Sequence, residues 1–216
     1  MRTIVYVDSF NLYYRLLKQQ PRFKWLNVCE LARQVLRPSN QVTRVNFYTA
    51  RVSGRRDPHA PARQQVYFDA LATVPEISLH FGNFLMAEKW SELVHPPQFR
   101  PGTTIAPPWP TVVRVLKTEE KGSDVNLAAH LVRDALTGAF DVAAVLSNDT
   151  DLVEPIRIVA RECNLPVGLI APVKKPAAGL VGVSSFVRHI RSHHLAVAQF
   201  HDPVPGTAIR KPPTWV

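Results

Sequence analysis

Short apolar runs that alternate with helix-like segments constrain the fold of this chain more than any other feature of its sequence. The first run, residues 3–7, is rich in β-branched side chains and ends at Asp8. Such a run is typical of a strand buried on both faces, as in a parallel sheet. Asp8-Ser9 then indicates a helix start, and residues 11–17 have the apolar spacing of a helix. Asp8 is therefore predicted at the carboxyl end of the first strand, where open α/β sheets bind their ligands.

The same alternation continues along the chain. Further strands are predicted at residues 42–49, 77–84, 111–116, 142–146 and 167–170. Helices are predicted at residues 28–36, 62–73, 123–136, 151–163 and 180–190. A strand–helix–strand order of this kind predicts a single α/β domain with a mainly parallel sheet.

Two proline-rich segments depart from this pattern. Residues 90–110 contain six prolines and are too long for an ordinary connection, so they are either a functional flap or a disordered insertion. Residues 200–216 contain four prolines, and we expect this C-terminal tail to lie outside the core. The predicted organisation is one domain at residues 1–199 that contains the irregular insertion and is followed by the tail.

The composition limits the class of protein and its partners. The 216 residues carry 26 Lys and Arg against 17 Asp and Glu, a net charge of +9, which favours an anionic partner such as nucleic acid. The hydrophobic fraction of 46% excludes a disordered chain, and two cysteines exclude a disulfide framework. No apolar run approaches the length of a membrane span, and the polar residues Asp8 and Asn11 interrupt any signal-peptide pattern. We therefore expect a cytoplasmic protein with no membrane partner.

Acidic residues gather at the predicted strand ends of this basic protein. Asp8 ends the first strand, Asp149 and Asp151 follow the strand at residues 142–146, and Asp124 opens a helix. Because parallel strands end on one edge of a sheet, we expect these carboxylates to approach one another. Carboxylate oxygens are the ligands that hard divalent cations prefer, and clustered carboxylates repel each other unless something neutralises them. The pattern predicts a site for Mg²⁺ or Mn²⁺.

Each acid also has a purely structural interpretation. Asp8 is alternatively a helix cap, and Asp151 is alternatively a cap that acts with Glu154. Asp124 stabilises the dipole at the start of its helix whatever its function. Asp149 is the hardest of the four to explain as a cap, because Asp151 already supplies an acid for that purpose.

Three motifs carry a resemblance to a known family. They are VDSFNLYY near the start, EKGSDVNLA in the middle and LSNDTDLVEPI further on. Together they resemble the NYN domain of the LabA/DUF88 type, which belongs to the PIN-like nuclease superfamily, and the resemblance covers about residues 2–199. It implies a Rossmann-like, three-layer α/β/α sandwich with a central, mainly parallel sheet. It also implies a metal-dependent ribonuclease that hydrolyses RNA phosphodiester bonds.

The resemblance assigns roles to individual residues. The catalytic residues that it implies are Asp8, Asn11, Asp124, Asp149 and Asp151. The ligands that it implies for Mg²⁺ or Mn²⁺ are Asp8, Asp124 and Asp149. Lys121 and Asn148 are expected to contact the substrate, and whether Glu119 or Glu120 points into the site stays open. Many members of the family have glycine where Asn148 stands, but no essential acid is missing.

A basic cluster accompanies the acids. Its members lie around the loop after the second predicted strand, where they are expected to hold an RNA backbone: Arg51, Arg55, Arg56 and Arg63. Tyr13 and Tyr14 either stack on unpaired bases or belong to the core. Single-stranded or structured RNA is therefore the expected partner, and a homo-oligomer is a further possibility.

The sequence leaves rival functions open beside the ribonuclease. One is an RNA-binding or regulatory scaffold protein that keeps the nuclease-like fold with little turnover. Another is a different Mg²⁺-dependent phosphotransfer fold, but Asp8-Ser9-Phe10 lacks the second acid that haloacid-dehalogenase phosphatases need. A nucleotide-binding Rossmann enzyme is disfavoured because no GxGxxG follows the first strand.

Overall fold

A computed structural model describes residues 1–55, 57–100, 102 and 105–215. Its strands are β1 (Arg2–Asp8), β2 (Gln41–Ala50), β3 (Ile77–Glu92), β4 (Val112–Lys121), β5 (Val142–Leu146), β6 (Val167–Ala171) and β7 (Phe186–His189). Its α-helices are α1 (Ser9–Leu12), α2 (Val28–Val35), α3 (Ala60–Ala72), α4 (Ser123–Leu136), α5 (Val153–Arg157), α6 (Ala178–Val183) and α7 (Ser192–Val197). None of the helices in the described part of the chain is long and apolar enough to cross a membrane.

Single π-helical and 3-10 turns complete these elements. The π-helical turns are Tyr13–Leu17, directly after α1, and Ile158–Glu162, directly after α5. The 3-10 turns are Pro21–Phe23 and Thr150–Leu152. The helices predicted at residues 11–17 and 151–163 are therefore present as composite segments.

The seven strands of the described residues form one sheet in the order β4-β3-β2-β1-β5-β6-β7. Every neighbouring pair is parallel except β3 and β4, which run antiparallel. The predicted α/β class with a mainly parallel sheet is confirmed.

Two hydrophobic clusters cover the opposite faces of the sheet, so the domain has three layers. Strand β1 shows the alternation: Val5 and Val7 pack in the cluster with α2, whereas Ile4 and Tyr6 pack in the cluster with α4 and α5. Residues 3–8 are all buried, which is why this strand has no polar face. The central layer thus carries its side chains into two separate cores, as expected of a buried parallel strand.

The sheet has a topological switch point at β1. The chain continues from β1 to β2 on one side, and β5 pairs with the other side of β1. Connections on the two sides leave a crevice beyond the carboxyl ends of these strands, and open α/β sheets bind their ligands there. Asp8 is the last residue of β1, and Asp149 follows the end of β5, so both border this crevice.

Strands β3 and β4 pair as an antiparallel hairpin, and both are longer than predicted. Strand β3 extends from residue 77 to Glu92 instead of ending near residue 84, and it pairs with β4 from Asn83–Lys121 out to Glu92–Val112. Ten cross-strand pairs stabilise residues whose own sequence gives a weak strand signal. The described residues between the two strands contain no helix or strand, so part of the proline-rich segment is the hairpin loop.

The helix predicted at residues 180–190 is wrong. Helix α6 ends at Val183, and residues Phe186–His189 form β7, which pairs in parallel with β6. Two serines explain the break. The Ser184 hydroxyl donates to the Leu180 carbonyl at 2.7 Å, and the Ser185 hydroxyl accepts from the Val167 N–H at 3.1 Å. Serine side chains compete in this way with helix hydrogen bonds, and periodicity cannot register a pairing with β6.

The expectation that the tail lies outside the core is also wrong. Val204 is buried in a third cluster with Trp25, and Phe200 and Trp215 pack against the same cluster. The Trp25 indole donates to the His201 carbonyl at 3.2 Å. Prolines favour irregular backbone, but they do not prevent the aromatic residues between them from packing.

Candidate functional site

Three hydrogen bonds fix the Asp8 side chain at the turn between β1 and α1, two from Asn11 and one from Ser147 after β5. Its side chain caps α1 by accepting from the Asn11 backbone N–H at 2.9 Å. The Asn11 side-chain amide donates to the other carboxylate oxygen at 2.7 Å, and the Ser147 hydroxyl donates to that oxygen at 2.8 Å. Asp8 is only 2% exposed, so its orientation is set by the protein and not by solvent.

Three carboxylates converge beside this turn. One oxygen from each of Asp8, Asp124 and Asp149 lies within 4.8 Å of the other two. Asp124 reaches the group from the first turn of α4, and Asp149 from the loop that follows β5. The predicted approach of these three acids at the strand ends is therefore present in the structure, while their role stays a prediction.

Crowding changes the protonation of Asp124. Burial, followed by the negative charges of Asp8 and Asp149, raises the pKa of Asp124 to about 6. Two chemical capacities follow from this geometry. An oxygen-only set of this size suits a hard cation, and the same set can instead hold a proton on Asp124 just below neutral pH.

Asp149, Asn148 and Asp151 play unequal parts in the loop after β5. The Asp149 carboxylate accepts from the Asp151 N–H at 3.1 Å and caps the 3-10 turn, so the cap is Asp149 and not Asp151 with Glu154. The Asn148 side chain accepts from the Ala177 N–H at 2.9 Å, which ties this loop to the start of α6. Asp151 is exposed and lies outside the three converging acids.

The two glutamates of the motif before α4 have different partners. Glu120 accepts from the Ser123 hydroxyl at 2.7 Å and from the Ser123 N–H at 3.1 Å, so it holds the start of α4. Glu119 instead pairs with Lys89, Lys117 and Lys121 along the hairpin, and hydrogen bonds from Lys117 and Lys89 lower its pKa to about 2. Lys121 is thus a partner of Glu119, and Glu120 is the glutamate near the acids.

The arginines after β2 form separate contacts. Arg51 donates to Gln65 at 2.7 Å and lies over the Phe81 ring, and Arg55 contacts the Met86 sulfur at 3.1 Å. Arg63 pairs with Asp57. Arg56 lies outside the described residues. The partners of the three described arginines belong to α3, to β3 or to the loop itself, and the predicted RNA contacts stay a prediction.

A cavity of about 530 Å³ opens beside the β1–α1 turn, with Ser9 and Leu12 in its wall. Aromatic side chains form much of its wall: Phe10, Tyr13, Tyr14, Phe47, Tyr67, Phe68 and Trp215. Lys24, Arg63 and Asp57 are the charged groups of the wall. This cavity could not be predicted from the sequence, because its wall combines residues of α1, β2, α3 and the end of the tail. The paired tyrosines after Asn11 were the one available signal, and both are exposed rather than in the core.

Comparison with known proteins shows similarity to a curated protein and to a solved structure. No family model matches the chain. The chain is 28% identical, over 240 residues, to 6-hydroxy-3-succinoylpyridine 3-monooxygenase HspA of Pseudomonas putida, and the match covers 100% of this chain and 75% of that protein. A crystal structure of a protein of unknown function from Vibrio parahaemolyticus superposes with a TM-score of 0.52 at 15% identity, covering 88% of this chain and 93% of that one. The structural likeness supports the α/β fold and says nothing of activity.

The similarity to a monooxygenase overturns the functional predictions. The predictions of a ribonuclease, of the hydrolase class and of a Mg²⁺ or Mn²⁺ cofactor are wrong, since a relative that matches along the whole chain is named as a monooxygenase. The physical reason is that strand ends at a switch point collect polar residues in many α/β proteins, whatever reaction they support. Three neighbouring carboxylates show where a site lies, but they do not determine its chemistry.

Proposed function

We propose that this protein is a monooxygenase that acts on a small aromatic heterocycle. The observation that carries the proposal is the 28% identity, over the whole chain, to a protein named 6-hydroxy-3-succinoylpyridine 3-monooxygenase. Because the match covers every element of the domain, it includes the β1–α1 turn, the three acids and the aromatic cavity beside it. The proposal therefore concerns the domain as a unit and not an added segment.

The cavity supports an aromatic substrate. Its volume of about 530 Å³ falls within the usual range for small-molecule sites. Phe47 and Tyr67 meet edge to face at 6.3 Å between ring centroids, and Trp215 meets Tyr67 at 5.9 Å. Rings in these arrangements can accept a further planar ring by offset or edge-to-face contact.

The position of the cavity supports chemistry at the same edge of the sheet. Ser9 lines the cavity, and the preceding residue, Asp8, belongs to the acid group. Cavity and acids therefore meet at one rigid turn, which the Asn11 and Ser147 hydrogen bonds hold in place. Sites built on such well-supported elements orient their ligands well.

The reaction has a fixed balance. One atom of O₂ enters the organic product. The other atom is reduced to water, and this reduction consumes two electrons and two protons. The electrons must come from a second substrate, for which we propose a reduced nicotinamide. The location that we propose is the cytoplasm.

The resemblance to the NYN domain has a place in this proposal. We propose that the chain has an NYN-like scaffold with its three motifs around the switch point and uses that scaffold for a different reaction. One fold commonly hosts unrelated activities, because function depends on the site and not on the layers beneath it.

Oxygen uptake tests the proposed activity. Purified protein is mixed with 6-hydroxy-3-succinoylpyridine and NADH, with and without added FMN or FAD, and O₂ consumption is measured. The reaction is repeated under ¹⁸O₂, and mass spectrometry measures the incorporation of ¹⁸O into the product. We expect substrate-dependent O₂ consumption and a product that carries one ¹⁸O atom. NADH oxidation that does not depend on the pyridine, or a product whose new oxygen comes from water, would overturn the proposal.

A further inference from the structure

The wall of the aromatic cavity holds an unequal set of charges. Lys24 and Arg63 are its two cations, and Asp57 is its one acid. Arg63 pairs with Asp57, so that acid is already neutralised. Within the described part of the chain Lys24 forms no ion pair with a carboxylate, and its ammonium lies 5.4 Å from the centroid of the Tyr13 ring. The cavity therefore carries one positive charge that no acid of its wall balances.

The environment of Lys24 indicates that this charge is costly to keep without a ligand. Burial, and next the neighbouring Arg63, lower the pKa of Lys24. A half-buried ammonium beside a guanidinium is stabilised by an anion that sits between or against them. Exposed lysines such as Lys18 have no such need, although Lys18 makes a comparable contact with the Tyr14 ring at 5.0 Å.

We infer that the cavity binds its substrate as an aromatic carboxylate, with the ring among Tyr13, Tyr67 and Trp215 and the carboxylate against Lys24, beside Arg63. This inference deepens the proposed function and rests on it for the choice of probe. Lys24 is assigned as the residue that selects an anionic substituent on the ring. The aromatic wall selects a planar body, and the two requirements together define the ligand class.

The charge arrangement favours a single carboxylate. Asp57 occupies Arg63, which leaves Lys24 as the cation that is free to receive the ligand's oxygen atoms. A hydrogen bond between two charged groups is stronger than one between neutral groups, and leaving a charged group of a site unpaired adds a further penalty. An uncharged amide of the same shape should therefore bind at least tenfold more weakly.

Calorimetry without O₂ or reductant tests the inference. The probes are 6-hydroxy-3-succinoylpyridine, its primary amide, succinate and 2-hydroxypyridine, which separate the contributions of the charge and of the ring. We expect the acid to bind at least tenfold more tightly than the amide, and both fragments to bind more weakly than the acid. Equal affinity for the acid and the amide would overturn the inference.

Three variants locate the charge. Lys24→Met should remove the preference for the acid, and Lys24→Glu should reverse it, whereas binding of the amide changes little. Lys18→Met is the matched control, because Lys18 lies over the Tyr14 ring but is not itself part of the cavity wall, and this variant should leave both affinities unchanged. Full preference for the acid in Lys24→Met, with thermal melting curves that show a folded protein, would sink the assignment.

The outcome is separable from that of the proposed activity. Selective binding of the acid without oxygenation would sink the monooxygenase proposal and leave the binding site in place. Oxygenation that continues unchanged in Lys24→Glu, with an unchanged KM, would sink the binding site and leave the activity in place.

Discussion

Asn11 holds both oxygens of the Asp8 carboxylate, one through its backbone N–H at 2.9 Å and the other through its side-chain amide at 2.7 Å. The same side chain accepts from the Asn148 N–H at 3.3 Å. One residue thus joins the end of β1 to the loop after β5, across the switch point of the sheet. The geometry of the three acids depends on this bridge, since Asp8 is the buried member of the group.

Replacing Asn11 should loosen that bridge. Asn11→Ala removes the side-chain hydrogen bonds to Asp8 and Asn148, and we expect a loss of about 1–2 kcal/mol in the free energy of unfolding. Asn11→Asp puts a fourth carboxylate beside the other acids and should be more destabilising than Asn11→Ala at pH 8. Urea unfolding at pH 5 and pH 8 measures both variants. Equal stability of the two variants at pH 8 would show that Asn11 is not packed against the acids.

Most of the scaffold could be predicted because its signals are local. Strand β1 is buried on both faces and has a continuous apolar sequence, and Asp8 follows it directly. Parallel pairing then brings the ends of β1 and β5 together, with Val7 opposite Leu146. The approach of Asp8 and Asp149 follows from strand order alone.

The cavity and the reaction could not be predicted in this way. Trp215 reaches the cavity from the far end of the chain, and Lys24 reaches it from the turn before α2, so no local pattern relates them. β7 was missed for the same reason, because its strand character depends on pairing with β6. The wrong assignment of a nuclease came from the resemblance of three motifs, which assigned one activity to a group of acids that many reactions could use.

The raised pKa of Asp124 predicts a pH-dependent penalty. The ordinary pKa is 3.8 and burial with neighbouring acids raises it to about 6, so between these values the folded protein binds more protons than the unfolded chain. Stability therefore falls as the pH rises from about 4 to 6, and the penalty is complete above that range. Asp124→Asn should raise the free energy of unfolding by about 1 kcal/mol at pH 7.5, with allowance for solvent around this half-buried group, and hardly at all at pH 4.

Urea unfolding in EDTA measures this effect without interference from cations. The matched control is Asp69→Asn, which removes an exposed acid on α3 and should change stability by less than about 0.5 kcal/mol at either pH. A gain for Asp124→Asn that is as large at pH 4 as at pH 7.5 would contradict the titration of Asp124.

Among the polar residues between α4 and the sheet, Asp134 on α4 is the one whose replacement should lower the free energy of unfolding most. Its buried carboxylate accepts from the Tyr6 hydroxyl at 2.8 Å and pairs with Arg44 and Arg133, each at 2.7 Å. Asp134→Ala leaves the two arginines without this counter-charge and the Tyr6 hydroxyl without its acceptor, and we expect a loss of about 3 kcal/mol in the free energy of unfolding. Tyr6→Phe removes a single hydrogen bond and should cost about 1 kcal/mol. Chemical denaturation measures the loss in free energy of unfolding for both variants. A loss in Asp134→Ala that does not exceed the loss in Tyr6→Phe would refute the role of Asp134 as the shared partner of these groups.

A side chain at Gly82 should destabilise the fold, because β3 passes there against the start of α4. A Cβ atom at this position would lie 2.2 Å from the Glu120 carboxylate, 2.8 Å from the Lys121 carbonyl and 2.9 Å from the Ser123 nitrogen. Glu120 can move away only by giving up its hydrogen bonds to Ser123, while the two backbone atoms cannot move without shifting the hairpin or α4. We expect Gly82→Ala to cost about 1–3 kcal/mol. Gly182→Ala, in α6 with open space around it, is the control and should be neutral or slightly stabilising. Thermal unfolding distinguishes them, and melting temperatures that fall equally in both variants would mean that the close approach at Gly82 does not limit the fold.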